Sequence, residues 1–355
     1  MSQKLRARDY NIPFGVLPTG KHNAITDVKG VKVGHVTRIE GEHIRTGVTA
    51  ILPHDGNIFQ NKVPAAVFVG NGFGKLVGST QINELGTLES PVILTNTLSV
   101  ASGIEGIVRY TLALQGNEKV KSVNAVVGET NDSHLNDIRG LHISPSDVIQ
   151  AIKNAEDGPL AEGNVGAGTG TVCFEWKGGI GTASRKLPKT LGGYTVGVLV
   201  QTNFGGNLVI GGMPAGQILE KHSYDDAIKN SDGSCMIVVA TDAPILDRNL
   251  ERIAQRAMMG LAKTGGIASN GSGDYVIAFS TADHLRQLHQ SKKLELDTFQ
   301  VLNNNDTSPL FMATIEATEE AIINSLFAAE TMKGFDGNVV EKIPVERIAE
   351  WFKIK

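Results

Sequence analysis

Short β-branched runs alternate with glycine-marked turns through the first half of the chain, at Val31–Val33, Gly47–Leu52, Ala65–Val69 and Val92–Thr95. Runs of this length bounded by turn formers read as strands. Between them, 79–89 and 100–115 carry apolar residues at three- and four-residue steps, which predicts helices packed on a sheet. A further strand, Ala125–Val127, leads into Gly128-Glu129, and 146–155 reads as a helix capped by Ser144 or Ser146. Residues 162–185 are glycine-dense around a strand-like 171–174, and Tyr194–Gln201 has the unbroken apolar character of a buried strand.

Residues 205–233 then lose that density, with Pro214 and the polar run "KHSYDDAIKNSDGS", and are expected to form an exposed or cleavable linker. Asp247–Lys263 places Leu250, Ile253, Ala254, Ala257 and Leu261 on one face between Pro244 and Gly265-Gly266, a well-punctuated amphipathic helix. Tyr275–Phe279 reads as a strand, Met312–Ile315 as another, and Glu316–Ala329 as a helix. Strand pairs beside helix pairs, with no steady βαβ rhythm and no internal repeat, predict two sheets packed face to face and covered by helices.

The chain has 355 residues, enough for a core of ordinary size, and a formal net charge of -4, which gives no electrostatic reason to expect nucleic acid. Glycine is abundant, 41 residues against the usual level of roughly 7%. Many positions therefore need positive φ or close backbone approach. The two cysteines, Cys173 and Cys235, define no disulfide framework or zinc set, and a reducing compartment fits. The first twenty residues start basic without an apolar core, and no stretch of eighteen apolar residues follows. A cytoplasmic protein without a membrane segment is expected.

Several motifs lead nowhere. "GNGFGK" (70–75) resembles a phosphate loop, but Leu76 stands where magnesium binding needs Ser or Thr, and Gly166–Gly170 lacks the spacing of a dinucleotide fingerprint. The histidines are scattered; His284 and His289, five apart, have no carboxylate motif beside them, so no metal is expected. No Gly-x-Ser-x-Gly elbow occurs.

Gly233-Ser234 invites a different chemistry. It stands at the doorway of the apolar strand Met236–Ala240, where a turn is the simplest reading. In a strained backbone, however, the Ser234 hydroxyl can attack the unhindered carbonyl of Gly233, giving an ester that water then opens. The new α-amine, with a reference pKa of about 7.7–8.0, could serve as base to its own hydroxyl. Cys235 then reads as core rather than catalyst.

The segments "NAITDVKGVKVGHVT" (23–37), "IRTGVTAILP" (44–53), "LTNTLSV" (94–100), "EGNVGAGTGTVCFEWKGGIGTASR" (162–185) and "DGSCMIVVATDAP" (232–244) resemble, in the same order, the L-aminopeptidase/D-esterase and β-peptidyl aminopeptidase family of self-processing N-terminal serine hydrolases. The resemblance implies an α/β (α+β) fold of four layers, an αββα sandwich like that of N-terminal nucleophile hydrolases but connected differently. It implies one domain, 1–355, cut after Gly233 into 1–233 and 234–355. Ser234 becomes the nucleophile, Ser272 and Asp274 its relay, and Asn203 an oxyanion donor. Glu129 becomes the anchor for the substrate's free amine, with Asn131 lining the pocket where relatives commonly carry an aromatic; some relatives have Glu where Asp274 stands. The expected activity is removal of N-terminal residues from small peptides, amides or esters through an acyl-enzyme, without a cofactor, in a tetramer of cleaved heterodimers. An acyltransferase of the ornithine acetyltransferase type, or an unprocessed scaffold on the same fold, are the alternatives.

Overall fold

The computed structural model describes residues 5–222, 233–289, 294 and 296–353. The strands are β1 Lys32–Glu40, β2 Ile44–Leu52, β3 Asn61–Gly72, β4 Leu76–Val77, β5 Thr87–Leu88, β6 Val92–Asn96, β7 Val126–Thr130, β8 Val172–Cys173, β9 Trp176–Lys177, β10 Ile180–Lys186, β11 Thr195–Asn203, β12 Ser234–Thr241, β13 Gly273–Ser280, β14 Gln287–Leu288, β15 Met332–Lys333 and β16 Val339–Val340. The helices are α1 Ser79–Leu85, α2 Val100–Leu112, α3 Pro145–Lys153, α4 Ala215–Ile218, α5 Asp247–Lys263, α6 Ser308–Phe327 and α7 Val345–Glu350.

Among the described residues two large sheets form, one ordered β1-β2-β6-β7-β4 and the other β10-β11-β12-β13-β3-β14, with β5 also paired to β3. Each contains one parallel pair, β6 with β7 and β12 with β13, and each pair is joined through a helix, α2 and α5 respectively. Alternation along the strands then builds three apolar layers. Ile51, Leu94, Leu199, Met236 and Ile277 fill the space between the sheets. Val48, Ile93 and Val127 pack with Ile107 of α2 and Val148 of α3 on one outer face. Val198, Ile237 and Val276 pack with α5 and α6 on the other. The result is the expected αββα sandwich.

Local signals explain the element ends. The Ser144 hydroxyl accepts from the Asp147 N–H while the Asp147 carboxylate accepts from the Ser144 N–H, and Pro145 opens α3, so Ser144 rather than Ser146 caps that helix. The helix expected over 79–89 stops at Gly86, and Thr87–Leu88 turns into a strand on β3. The strand expected at Met312–Ile315 lies inside α6. The segment 205–222 is not a loose linker: Leu208, Ile210 and Ala215 are fully buried against the outer core. The remainder of that predicted linker, 223–232, lies outside the described residues.

Candidate active site

β11, β12 and β13 present their functional ends together. Asn203 is the last residue of β11 and pairs with Ser234, the first residue of β12, which pairs in turn with Gly273, the first residue of β13. All eight residues of β12 are buried, so Ser234 is fixed by a strand enclosed on both faces. Ser234 lines a cavity of about 1120 Å³ together with Asn203, Gly233, Glu129 and Asn131.

The Ser234 Oγ donates to the carbonyl oxygen of Gly233 at 2.5 Å, and the Gly273 N–H donates to the same oxygen at 3.2 Å. This carbonyl is therefore polarised from two sides, one of them the hydroxyl of the next residue. Glu129 lines the same cavity, and its side chain is only 3% exposed. One carboxylate oxygen accepts from the Lys75 N–H at 3.0 Å and lies 3.6 Å from its ammonium; the other accepts from the Thr97 hydroxyl. Lys75 is half exposed, so its ammonium contact is weak and leaves room for a second cation.

Asn203 is held from behind. Its Oδ1 accepts from the Val172 N–H at 3.0 Å, which sets the orientation of the amide and leaves its Nδ2 without a partner among the described residues. Asn131 sits on the exposed rim, with its Oδ1 accepting from the Ser133 N–H.

Ser272 and Asp274 do not line the cavity. Asp274 pairs with Cys235, whose side chain belongs to the outer core, while Ser234 and Tyr275 alternate toward the inter-sheet side. Both residues are buried, and neither the Ser272 hydroxyl nor the Asp274 oxygens complete a hydrogen bond of good geometry. They are nevertheless close. Burial pushes the Asp274 carboxyl up to about 6, against the opposing pull of the Ser272 hydroxyl and the Cys235 N–H. The turn carrying Ser272 is pinned by Asn71, whose side-chain amide donates to the carbonyls of Ser269 (2.9 Å) and Ser272 (2.5 Å). The Phe73 N–H also donates to the Ser272 carbonyl, at 3.2 Å.

"GNGFGK", barren as a phosphate loop, thus bridges Glu129 and the Ser272 turn. The residues that sequence reasoning missed, Asn71, Lys75, Thr97 and Val172, act largely through backbone groups or as supports. The only available signals were the glycine density and the position of Thr97 within "LTNTLSV". Both cysteines are buried and burial pushes their thiols up, Cys173 to about 12, which removes them as nucleophiles. Among the described residues, no three His, Cys, Asp or Glu side chains gather as a metal site, and no helix is long and apolar enough to cross a membrane.

Residues 23–340 match Peptidase family S58. The chain is 40% identical to the β-peptidyl aminopeptidase BapA of Sphingosinicella microcystinivorans, over 96% of this chain and 89% of that one. A Pyrococcus horikoshii OT3 protein of solved structure superposes with a TM-score of 0.90 at 49% identity, covering 98% of each chain. The L-aminopeptidase D-Ala-esterase/amidase of Ochrobactrum anthropi, described as a variant of the Ntn hydrolase fold, superposes with a TM-score of 0.88 at 38% identity, over 97% of this chain and 96% of that one. The acyltransferase and scaffold alternatives give way to this agreement of sequence and fold: the chain belongs to peptidase family S58 and is a serine aminopeptidase of the N-terminal-nucleophile type.

Proposed function

We propose that this aminopeptidase matures by cutting its own Gly233–Ser234 bond and then uses Ser234 to release N-terminal residues from small peptides, amides or esters. The observation that carries the reading is the doubly held Gly233 carbonyl in a cavity that Ser234 and Glu129 both line. In maturation, the Ser234 Oγ bonds to the Gly233 carbonyl carbon and the C–N bond breaks. Its nitrogen takes up a proton, and an ester joins the two parts. Water hydrolyses that ester, leaving a carboxylate on Gly233 and a free α-amine on Ser234.

In turnover the α-amine accepts the hydroxyl proton as Oγ attacks the substrate carbonyl, and returns it to the departing amine or alcohol. The Asn203 Nδ2 stabilises the tetrahedral oxygen. Ser272 and Asp274, outside the cavity wall, orient the amine of Ser234 and offset its charge. Water then hydrolyses the acyl-enzyme. No cofactor enters these steps. The names of the relatives, a β-peptidyl aminopeptidase and an L-aminopeptidase D-Ala-esterase/amidase, support substrates with a free amine, and Glu129 supplies its counter-charge. Asn131 makes the rim polar. We place the enzyme in the cytoplasm as a tetramer of cleaved heterodimers.

Steady-state kinetics of Glu129→Gln test the substrate reading. The variant is expected to raise KM at least tenfold for an aminoacyl p-nitroanilide while remaining cleaved. An unchanged KM, or equal hydrolysis of the N-acetylated substrate by the wild type, contradicts it.

A further inference from the structure

Behind Asn203 lies a buried cation that the proposed chemistry leaves unused. Lys177 is fully buried, and its ammonium donates to three backbone carbonyls, those of Gly168 (3.1 Å), Thr171 (2.9 Å) and Gly178 (2.7 Å). Three acceptors for one nitrogen match the three protons of the charged form; a neutral amine would turn its lone pair toward one of them. Asp132 and Cys173 are the titratable groups facing it. Burial brings its pKa down to about 7, with Cys173 and Asp132 pulling the other way.

Those carbonyls flank the strand hairpin β8–β9, Gly168 and Thr171 before it and Gly178 after it, and within the hairpin Val172 pairs with Lys177. Thr171, one of the clamped residues, directly precedes Val172, whose N–H holds the Asn203 Oδ1. Without the ammonium, the Gly178 carbonyl loses its donor, while the Gly168 and Thr171 carbonyls keep only the Thr171 hydroxyl (3.1 Å) and the Gly178 N–H (3.1 Å), so the segment that carries the Val172 N–H is held less firmly. The amide of Asn203 would then be free to rotate, and misplacement by about 1 Å at a catalytic group can cost on the order of 100-fold. We infer that Lys177 is a positioning residue for the oxyanion amide, acting on turnover through Val172 and Asn203. The inference rests on the reading of Asn203 as the oxyanion donor.

A double-mutant cycle separates the two. Turnover of Lys177→Met, Asn203→Ala and the double variant is measured per cleaved enzyme, with melting temperature as the folding control. Lys177→Met is expected to lower kcat by about 10- to 100-fold with KM within about twofold. On the Asn203→Ala background the same change should add less than about twofold. Independent, multiplying losses overturn the role of Lys177 while leaving Asn203 in place; an Asn203→Ala variant with wild-type kcat overturns both. Should Lys177→Met not fold, Val172→Pro decides. It removes the connecting N–H at the first residue of a strand, where proline is accepted, and is read against Val172→Ala, which changes the cavity-lining side chain but keeps the N–H. The proline variant is expected to reproduce the kcat loss and to add nothing to Asn203→Ala, and a wild-type kcat in Val172→Pro overturns the proposal.

Discussion

A methyl group on Gly233 would stand 2.7 Å from the Cα of Phe204 and 2.9 Å from the Asn203 carbonyl oxygen, both backbone atoms that cannot swing aside. Gly233→Ala is therefore expected to displace the carbonyl from Ser234 and Gly273 and to slow self-cleavage at least tenfold, read by densitometry of the two fragments over time. Cleavage at the normal rate would contradict that role. Asp274 gives a pH prediction. Its folded-state pKa, about 6, lies above the ordinary 3.8, so the folded enzyme holds this proton more tightly than the unfolded chain. The group consequently costs stability as pH rises from about 4 to 6, and the cost is constant above that. Relative to wild type, Asp274→Asn should gain stability across that interval in urea unfolding, and an acidic limb of kcat near pH 6 should disappear. A limb unchanged in the variant would place the titration elsewhere. At this scale Ser234, Asn203 and Glu129, named from the family resemblance, line one cavity, whereas Asp274, named with them, does not. Val172 and Gly273 were not legible in the sequence, since each contributes a backbone N–H that any residue except proline supplies.

Among the elements, legibility followed periodicity. α5 has one buried stripe and its limits were read correctly. α6 is buried on nearly every face from Ala313 to Phe327, so its apolar positions show no 3.6-residue period, and a short window such as Met312–Ile315 looks like a strand. The segment after β11 misled for the opposite reason: glycine and proline dominate its composition, yet a few well-spaced residues, Leu208, Ile210 and Ala215, seat it in the core. Composition does not register spacing. Close approach of α6 to β10 depends on Gly181, where a Cβ would lie 2.0 Å from the Ala321 carbonyl oxygen. Gly181→Val must push the helix off the sheet, and should destabilise the enzyme by about 3 kcal/mol in chemical denaturation. A change under about 0.5 kcal/mol would mean the layer yields more easily than its packing implies.

For the whole molecule, the proposed cut has an unusual consequence. The larger sheet draws β3, β5, β10 and β11 from the part before Ser234 and β12, β13 and β14 from the part after it, and β12 is hydrogen-bonded between β11 and β13. Arg185 of β10, fully buried, also pairs with Glu316 (2.9 Å) and Glu320 (2.8 Å) of α6 across the same division. Cleavage thus creates a new terminus in the middle of a sheet without freeing either fragment. The four layers were legible from the alternation of strand and helix pairs, whereas the strand order was not, because β3 crosses to the second sheet without any local sequence mark. Denaturing mass spectrometry of the freshly purified, folded enzyme beside its Ser234→Ala variant decides whether the chain is cut. Two polypeptides are expected, one ending at Gly233 and one beginning at Ser234, that co-elute under native conditions, with Ser234→Ala remaining a single inactive chain. A wild-type enzyme that stays whole, or a Ser234→Ala variant that hydrolyses peptides at the wild-type rate, would contradict the proposed function.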